Sequence, residues 1–400
     1  MYKAARIILL LIFSILFGCR LNAHIAEKDS IVVSLITCEA GRDVYELCGH
    51  SAIRIRTTDT QKMDSVWNYG IFDFNTPHFI YRFVKGETDY RVAGYPFQWF
   101  MPEYIETGRE VTEQILNLSQ DEAYRLLALL REDSKPENCR YRYNYVKNNC
   151  ATRIRERLDS SVNSRILYPD TIKYGTYRGE MRHFHRNYPW YQLGIDFALG
   201  SGIDYKLRGE EEMFVPVDMK ERFAGAKFSD GRDLVISTRI LNQGRPGATL
   251  GPTPLYLTPL FFASLLFLMV LFFCIYEVRR NRAVRWLNSL WYGICGIAGS
   301  VVCFLIFFSE HEATSPNLLG LWLNPFQFLI AIGVWSRKMR NIVTAMIWYN
   351  IIALGCMLIV WPYQAQSANM AAFPLMGATL ALAIAYAMAG MKKEYRIKKR

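Results

Sequence analysis

The chain has 400 residues, of which 51% are hydrophobic and 21% are charged, and its formal net charge is +11. This length accommodates an extramembrane domain of ordinary size together with a membrane domain. A strong positive charge in a soluble protein would favour nucleic acid as a partner. Here much of the excess lies in short loops beside apolar segments. We therefore attribute the charge to membrane topology and expect no nucleic acid partner.

Residues 1–23 are predicted to be a signal sequence or an N-terminal anchor. Two basic residues precede an apolar run at residues 7–17, which is short for a membrane span and typical of an export signal. Residues 16–19 resemble a lipobox, and residues 21–23 form an ordinary cleavage site. Whether the segment is cleaved, lipidated or kept, the residues that follow are delivered outside the cytoplasm.

Three strands are predicted near the start of the exported region. A β-branched and aliphatic run at residues 31–37 predicts a buried strand. His50, after a glycine turn, opens a second strand to residue 57, in which isoleucines alternate with arginines as in a half-buried strand. A polar turn leads into a returning strand at residues 65–74. This pairing places His50 opposite residues 68–70.

Three helices are predicted in the same region. Residues 119–122 form a capping box ahead of an amphipathic helix at residues 123–131. Asn149 is a good N-cap for a helix over residues 150–158. A further helix is predicted at residues 190–199, which a glycine ends.

A long apolar region predicts an all-α membrane domain at residues 256–391, followed by a basic tail at residues 392–400. A linker rich in Gly and Pro at residues 242–255 separates it from the exported domain at residues 24–241. The predicted spans are residues 256–276, 286–308, 318–335, 342–361 and 371–390. Loops after the first and third spans and the tail are basic, whereas the alternate loops contain no lysine or arginine. The positive-inside rule therefore places residues 24–255 outside the cytoplasm.

Cys150 and His50 have the residue types of a thiol nucleophile and its base. A free thiol has a pKa of about 8.5 and is activated by a helix N-terminus and a neighbouring imidazole. The backbone amide of Cys150 can also stabilise an oxyanion. To orient the imidazole we favour Asn68 on the paired strand, with Asp73 and Tyr69 as the alternatives.

Other interpretations of the cysteines stay open at this point. Cys139 could pair with Cys150, and Cys38 with Cys48, because an oxidising compartment permits disulfides. One exported cysteine with one histidine lacks the clustered ligands of a zinc site. We therefore expect neither a metal nor a cofactor.

Several stretches of the chain together resemble one known family: residues 49–54, 68–74, 149–153, 190–200, 213–216 and 311–325. The family is the Lnb-type bacterial lipoprotein N-acyltransferases. This resemblance covers nearly the whole chain after the signal. It implies an α+β class: a circularly permuted papain-related, NlpC/P60-like periplasmic domain followed by an all-α five-helix membrane domain. Two positions depart from the pattern, Cys48 where an aromatic residue is commoner and Glu312 where proline is more usual.

The resemblance implies a two-step acyl transfer. His50 would take the proton of Cys150, whose thiolate would accept a fatty acyl chain from a membrane phospholipid as a thioester. The α-amine of the N-terminal diacylglyceryl-cysteine of a lipoprotein would then accept the acyl chain. The implied partners are the phospholipid donor, diacylated lipoproteins and the lipid bilayer. Candidate substrate-binding residues are Ser51, Asn149, Arg153, His311, Asn317 and Asn324.

The implied location is the bacterial inner membrane, as a multi-pass protein with its catalytic domain in the periplasm. The alternative function is a membrane-anchored cysteine peptidase or amidase acting on peptidoglycan, since NlpC/P60 relatives use the same thiol chemistry. Such a hydrolase gains little from five membrane spans. A third class is a non-enzymatic receptor or assembly factor that kept the fold.

Overall fold

The computed structural model describes residues 30–59, 62–170 and 173–398, so the predicted signal or anchor at residues 1–23 lies outside the described residues. The extramembrane part is built on a seven-stranded antiparallel sheet in the order β6-β4-β3-β2-β1-β5-β9. A separate two-stranded ribbon pairs β7 with β8. The strands are β1 Ile31–Cys38, β2 His50–Thr57, β3 Asp64–Ile71, β4 Asp89–Pro96, β5 Val111–Leu116, β6 Arg140–Arg142, β7 Ile166–Leu167, β8 Lys227–Phe228 and β9 Val235–Asn242.

Among the described residues, seven α-helices accompany the strands. They are α1 Phe79–Lys85, α2 Met101–Thr107, α3 Gln120–Asp133, α4 Cys150–Ser161, α5 Tyr177–Phe184, α6 Pro189–Ala198 and α7 Pro216–Gly225. Short 3₁₀ turns lie at Phe97–Trp99, Ser201–Ile203 and Glu211–Phe214. The result is a mixed α and β domain, as the sequence predicted.

The predicted first and second strands are confirmed, and the third ends at Ile71 rather than at residue 74. Both predicted helix starts are confirmed by hydrogen bonds. Ser119 forms a capping box with Glu122, and Asn149 caps α4. Because β1, β2 and β3 run antiparallel in register, the start of β2 meets the end of β3, as predicted.

Helices α3, α4 and α7 pack on one face of the sheet around a shared apolar core. Alternate residues of the strands face this core, among them Leu35 and Ile53, which meet Leu127 and Ile154 from the helices in one buried cluster. Such a core fixes the N-terminus of α4 against the start of β2.

The other face of the sheet is also covered, so the prediction of a half-buried second strand is wrong. Phe97, at the 3₁₀ turn before α2, packs on this face. Its ring lies 3.7 Å from the guanidinium carbon of Arg54, which is only 8% exposed. Arg54 also pairs with Asp64 at 2.5 Å and with Glu113 at 3.3 Å. Paired carboxylates and an aromatic face make it possible to bury this arginine.

The C-terminal part is helical, and four described helices are long and apolar enough to cross a membrane. They are α8 Pro259–Arg280, α9 Arg285–Phe307, α11 Arg340–Val360 and α12 Ala372–Lys398, and a shorter helix, α10 Phe328–Gly333, lies between the second and third of them. Short 3₁₀ turns at Leu255–Leu257, Glu312–Thr314, Arg337–Met339 and Trp361–Tyr363 flank these helices. Four of the five predicted spans are therefore continuous helices.

The third predicted span, residues 318–335, is not one helix. It consists of 3₁₀ turns at Leu318–Leu321 and Pro325–Gln327 followed directly by α10. Proline cannot donate a backbone hydrogen bond inside a helix, which accounts for the break ahead of Pro325. The apolar composition was predicted correctly, whereas the single helix was not.

This broken segment still spans about the depth of α9. Gly320 lies beside Ile306 at one level of α9, and Ser289 donates a hydrogen bond to the Ala331 carbonyl at the other, 2.7 Å away. These levels are about 26 Å apart along an α-helix. The segment covers that distance with fewer residues because 3₁₀ and extended backbone rises more per residue.

The two parts of the chain are docked directly on each other. The Gly200 amide donates to the Ala313 carbonyl at 2.8 Å, and Asn369 donates to the Asp196 carboxylate at 2.8 Å. The ring of Phe197 packs edge-on against Trp322. The sheet domain is therefore held on the helical part by contacts of its own, in addition to the covalent linker.

The linker itself is bound along the sheet domain. The Arg245 amide donates to the Gly108 carbonyl at 2.8 Å. Asn187 donates to the Leu250 carbonyl at 2.7 Å and its own carbonyl accepts from Thr253. The glycine- and proline-rich composition thus gives a segment without regular structure that is fixed by its backbone.

Candidate active site

Cys150 is the first residue of α4, and its position is set by the cap before it. The Asn149 side-chain oxygen accepts from the Ala151 and Thr152 amides at 2.9 and 3.0 Å. The Thr152 hydroxyl accepts from the Asn149 amide at 2.8 Å, which completes a capping box. The thiol therefore lies at the positive end of the helix dipole, as predicted.

The sulfur of Cys150 is buried and faces backbone amides. Burial raises the pKa of this thiol to about 11, and hydrogen bonds from the amides of Ser51, Ala151 and Cys150 itself oppose that shift. The Ser51 amide belongs to the residue that follows His50, so β2 contributes a donor directly at the sulfur. A cluster of amides around one sulfur is also suited to an oxyanion that forms beside it.

The cysteine is a free thiol, and the disulfides considered from sequence do not form in the described part of the chain. Cys38, Cys48, Cys139 and Cys150 are all unpaired. Cys48 instead lies 3.1 Å from the Tyr145 hydroxyl. Neither the Cys38–Cys48 bridge nor the pairing of Cys139 with Cys150, both of which the sequence left open, is present.

His50 is held by Asn68, as predicted. The distance from His50 Nε2 to Asn68 Oδ1 is 2.6 Å, and Asn68 Nδ2 donates to the Tyr95 hydroxyl at 2.9 Å. Because an amide oxygen only accepts, Nε2 carries the proton and Nδ1 keeps its lone pair. Burial lowers the pKa of His50 to about 4, against the opposing effect of the Asn68 hydrogen bond. The imidazole is therefore neutral at pH 7 and basic at Nδ1.

Two glycines shape the backbone around this pair. Gly49 (φ 77°) lies so close to the Cys38 carbonyl that a Cβ would be 2.6 Å from its oxygen. Gly70 (φ 88°) lies on β3 beside Cys150, and a Cβ there would be 3.7 Å from the cysteine Cβ. Glycine adopts a positive φ without strain because it has no Cβ. The two turns bring the ends of β2 and β3 up to the helix start.

The two alternatives for the orienting residue are not supported. The Tyr69 hydroxyl donates to the Asp133 carboxylate at 2.6 Å, on the face that packs against α3. Asp73 accepts from the Asn75 amide in an exposed turn after β3. Neither of them bonds to His50, so the two alternatives, Tyr69 and Asp73, are wrong. Asn68 is the residue in contact with the imidazole.

Two predicted substrate-binding residues, Asn149 and Asn317, hold the fold with their side chains, and a third, Ser51, has a buried side chain. Asn149 uses both side-chain atoms, since its Nδ2 also donates to the Tyr145 and Phe214 carbonyls. The side chain of Ser51 is fully buried, and its amide rather than its hydroxyl faces the sulfur. Asn317 accepts from the Leu319 amide and from Gln366 and donates to the Phe197 carbonyl.

The remaining three predicted residues have mixed outcomes. Asn324 is 5% exposed and donates within the broken segment, so it holds that backbone together. His311 donates from Nε2 to the Phe83 carbonyl at 2.7 Å. Arg153 is half-buried on α4, bonds Asn148 at 2.6 Å and stays within one turn of Cys150. Of the six, only Arg153 and His311 keep polar atoms near a surface that a substrate can reach.

Among the described residues, no hydrogen bond directly joins the Cys150 sulfur to the His50 ring. The two groups share one end of the sheet through the Ser51 amide, and catalytic hydrogen bonds commonly tighten only when a substrate is bound. Tyr95, which sequence reasoning missed, completes the chain that orients the imidazole. It lies two residues past Ala93, the partner of Asn68 on β4, and only the strand register could have indicated it.

A cavity of about 610 Å³ opens at the opposite end of the sheet. Ile31 and Thr57, which pair at the far ends of β1 and β2, line it together with Trp67. Along β2, Thr57 lies seven residue steps of ~3.4 Å from His50, and the residues that line the cavity include none of Cys150, His50 and Asn68. It therefore does not belong to the thiol site.

The fold and the site describe a membrane protein with an extramembrane thiol-bearing domain. Residues 22–179 match the Lnb N-terminal periplasmic domain, and residues 252–394 match the Lnb transmembrane domain. Together these matches cover most of the chain, which therefore belongs to the Lnb family, as the resemblance predicted. No curated protein and no solved structure matches the chain.

Proposed function

We propose that this protein is a lipoprotein N-acyltransferase. It would move a fatty acyl chain from a membrane phospholipid, through a thioester on Cys150, to the α-amine of the N-terminal diacylglyceryl-cysteine of a lipoprotein. One observation carries the proposal. A neutral imidazole, whose proton is held on Nε2 by the hydrogen bond to Asn68, lies at the same end of the sheet as a thiol at a helix N-terminus. Membership of the Lnb family supports it.

In the first step, His50 Nδ1 takes the thiol proton while the Cys150 sulfur attacks the ester carbonyl of the phospholipid. Burial disfavours a resting thiolate, so proton removal accompanies attack. The amides of Ser51 and Cys150 stabilise the oxyanion. When the carbon–oxygen bond breaks, His50 returns the proton to the leaving alcohol. The products are a thioester and a lysophospholipid.

In the second step, the lipoprotein amine attacks the thioester carbonyl. The new carbon–nitrogen bond forms as the carbon–sulfur bond breaks, and the amine proton passes through His50 to the departing sulfur. The free thiol is restored and an amide results. Donor and acceptor are anchored in one leaflet beside a domain docked on the membrane helices, which raises their effective concentration at Cys150.

The location that fits this reaction is the bacterial inner membrane, with residues 24–255 in the periplasm. Basic loops follow the first and third spans, and positive residues favour the cytoplasmic side. The third span, although broken, covers the depth of α9, which supports an odd number of crossings. Arg153 and His311 are the residues that we propose for contact with a lipid head group or the acceptor amine.

The test compares Cys150→Ala with Cys139→Ala in cells that rely on this protein for lipoprotein maturation. We expect the first variant to leave lipoproteins one acyl chain short by mass spectrometry of their N-terminal peptides, and the second to leave them unchanged. A hydroxylamine-sensitive acyl label should form on Cys150 in the unsubstituted protein. Unchanged acylation in Cys150→Ala would refute the proposal, and altered peptidoglycan fragments would favour a peptidase or amidase.

A further inference from the structure

A row of aromatic side chains leads away from the thiol site. Its members, called here the aromatic strip, are Phe72, Phe79, Phe83, Tyr90 and Tyr143. Successive ring centroids are 4.1 Å apart from Tyr143 to Tyr90, 5.2 Å to Phe72, 6.1 Å to Phe79 and 6.2 Å to Phe83. Three of these distances lie in the usual range of about 4.5–7 Å for packed aromatic pairs and the first is shorter, so the strip is continuous.

The inner end of the aromatic strip lies at Cys150. Gly70 lies between Cys150 and the Tyr143 ring. A Cβ at this glycine would be 3.7 Å from the Cys150 Cβ and 3.8 Å from the Tyr143 ring. Tyr90, the next ring, is only 7% exposed. An apolar chain on this surface would thus end beside the sulfur.

The outer end of the aromatic strip lies where α9 ends. The loop after α9 binds the last turn of α1, with the Ser309 hydroxyl donating to the Val84 carbonyl at 2.9 Å and the Glu310 amide to the Lys85 carbonyl at 2.8 Å. Tyr81 on α1 packs on Phe304 of α9, with centroids 6.2 Å apart. The short helix α1 is therefore placed at the end of a helix apolar enough to cross a membrane.

The surface around this outer end is apolar and exposed. On α1, Ile80 is 79% exposed and Phe83 is 47% exposed, while Phe74 before it is 60% exposed. At the end of α9, Phe307 and Phe308 are 74% and 67% exposed. A contiguous patch of this kind is rare on a surface that faces only water, and its continuity with α9 identifies lipid as what covers it.

We propose that the aromatic strip binds a fatty acyl chain of the donor phospholipid and conducts it from the bilayer to Cys150. This inference rests on the proposed acyl transfer and specifies where the donor chain lies. The length of the aromatic strip, four steps from ring to ring, is similar to the ~15 Å depth that a lipid tail occupies in one leaflet. A chain lying along the strip would place its ester at the sulfur while its end stays in the membrane.

The test uses the full chain in phospholipid vesicles and compares Ile80→Gln with Ile236→Gln. Both isoleucines are exposed, 79% and 64%, and Ile236 lies on β9 away from the strip. The measurement is the rate at which Cys150 becomes acylated by a long-chain phospholipid, divided by the rate with a short-chain, water-soluble phospholipid. We expect this ratio to fall about fivefold in Ile80→Gln, the size expected from losing part of the burial of one isoleucine, and to stay unchanged in Ile236→Gln.

A phospholipid that carries a photoreactive group in its acyl chain gives a second measurement that does not depend on turnover. In the Cys150→Ala variant, we expect crosslinks to map to the aromatic strip. An unchanged rate ratio in Ile80→Gln together with crosslinks elsewhere would overturn the inference. If the unsubstituted protein forms no thioester with either phospholipid, the proposed function fails, and crosslinks on the strip would then still support a lipid site.

Discussion

The thiol site and the loop that joins α9 to the broken segment were both predicted to hold functional polar residues, and the structure treats them differently. At the thiol site, His50 is oriented through one ring nitrogen and keeps the other nitrogen available. In the loop and segment, Asn317 and Asn324 use their amides to hold backbone in place. Ser51 and Asn324 each have a side-chain oxygen that makes no hydrogen bond among the described residues, yet both side chains are buried. The comparison teaches that a residue is available for chemistry only when one of its polar atoms is both unused and within reach of a substrate.

The largest effect is expected at the base. His50→Gln removes the ring nitrogen that takes the thiol proton, so acylation of Cys150 should slow by about 10²–10⁴, the usual contribution of a general base. The measurement is the rate of hydroxylamine-sensitive acyl labelling. His183→Gln, at a half-buried histidine that contacts Tyr174, serves as the control and should be unaffected. Equal rates in the two variants would remove His50 from the mechanism.

The resting protonation state provides the next prediction. With the pKa of Cys150 raised to about 11 by burial, the thiolate fraction grows about tenfold per pH unit below that value. Alkylation by iodoacetamide, followed at the Cys150 peptide by mass spectrometry, should therefore accelerate about a hundredfold between pH 7 and 9. In the urea-unfolded chain, the curve should flatten near the ordinary thiol pKa of about 8.5. A plateau across neutral pH in the folded protein would instead indicate a stored thiolate–imidazolium pair.

Asn68 should matter less than His50, because the imidazole remains when its partner is lost. A hydrogen bond to a charged imidazolium contributes about 1.5–3 kcal/mol, so Asn68→Ala should slow acylation by about 10–100-fold. Asn75→Ala, in the exposed turn after β3, is the matched control. If loss of Asn68 lowers the thermal midpoint of unfolding and leaves the acylation rate unchanged, its role is structural only.

The sequence predicts those parts of the site that depend on residues close together in the chain. Strands β1 and β2 and both capped helices were predictable, because β-branched runs and capping residues act over a few positions. The contact between His50 and Asn68 followed from strand pairing alone. Tyr95 was missed because its position depends on the β3–β4 register, which shifts between Asn68 and Ile71.

The errors have two causes. Contacts between distant parts of the chain account for Arg54 in the strand predicted to be half-buried, because the turn at Phe97 covers it. The third span was predicted as one helix from its apolar composition, although Pro325 is a local signal for a break. A sequence pattern likewise identifies Asn149 as a cap, but it does not show that Asn149 Nδ2 donates to the Phe214 carbonyl.

The free energy of unfolding can show whether Asn149 acts only as a helix cap or also holds buried carbonyls. Asn149→Ala removes a cap and also leaves buried carbonyl acceptors without a donor, which together should cost about 3 kcal/mol of unfolding free energy. Ser119→Ala removes only the capping contacts of α3 and should cost about 1 kcal/mol. Thermal unfolding of the full chain in detergent micelles compares the two. Equal losses would mean that the bonds from Asn149 Nδ2 to the two carbonyls add nothing to stability beyond the cap.

The smallest effect is expected in the loop at Glu312, where the resemblance to the family led us to expect a proline. Glu312 is the first residue of a 3₁₀ turn, and His311 before it has extended backbone (φ −72°, ψ 105°), which is the conformation that a following proline requires. Its carboxylate pairs with Lys147 at 2.5 Å, with side chains 68% and 51% exposed. Because so exposed a pair contributes little, Glu312→Pro should change the thermal midpoint of unfolding hardly at all and leave Cys150 acylation intact. Glu312→Gln, which removes the charge and keeps the backbone, is the matched control. A large loss in the proline variant alone would show that this loop needs its backbone amide, and the loop would then join the thiol site as a region with a polar atom in use for function.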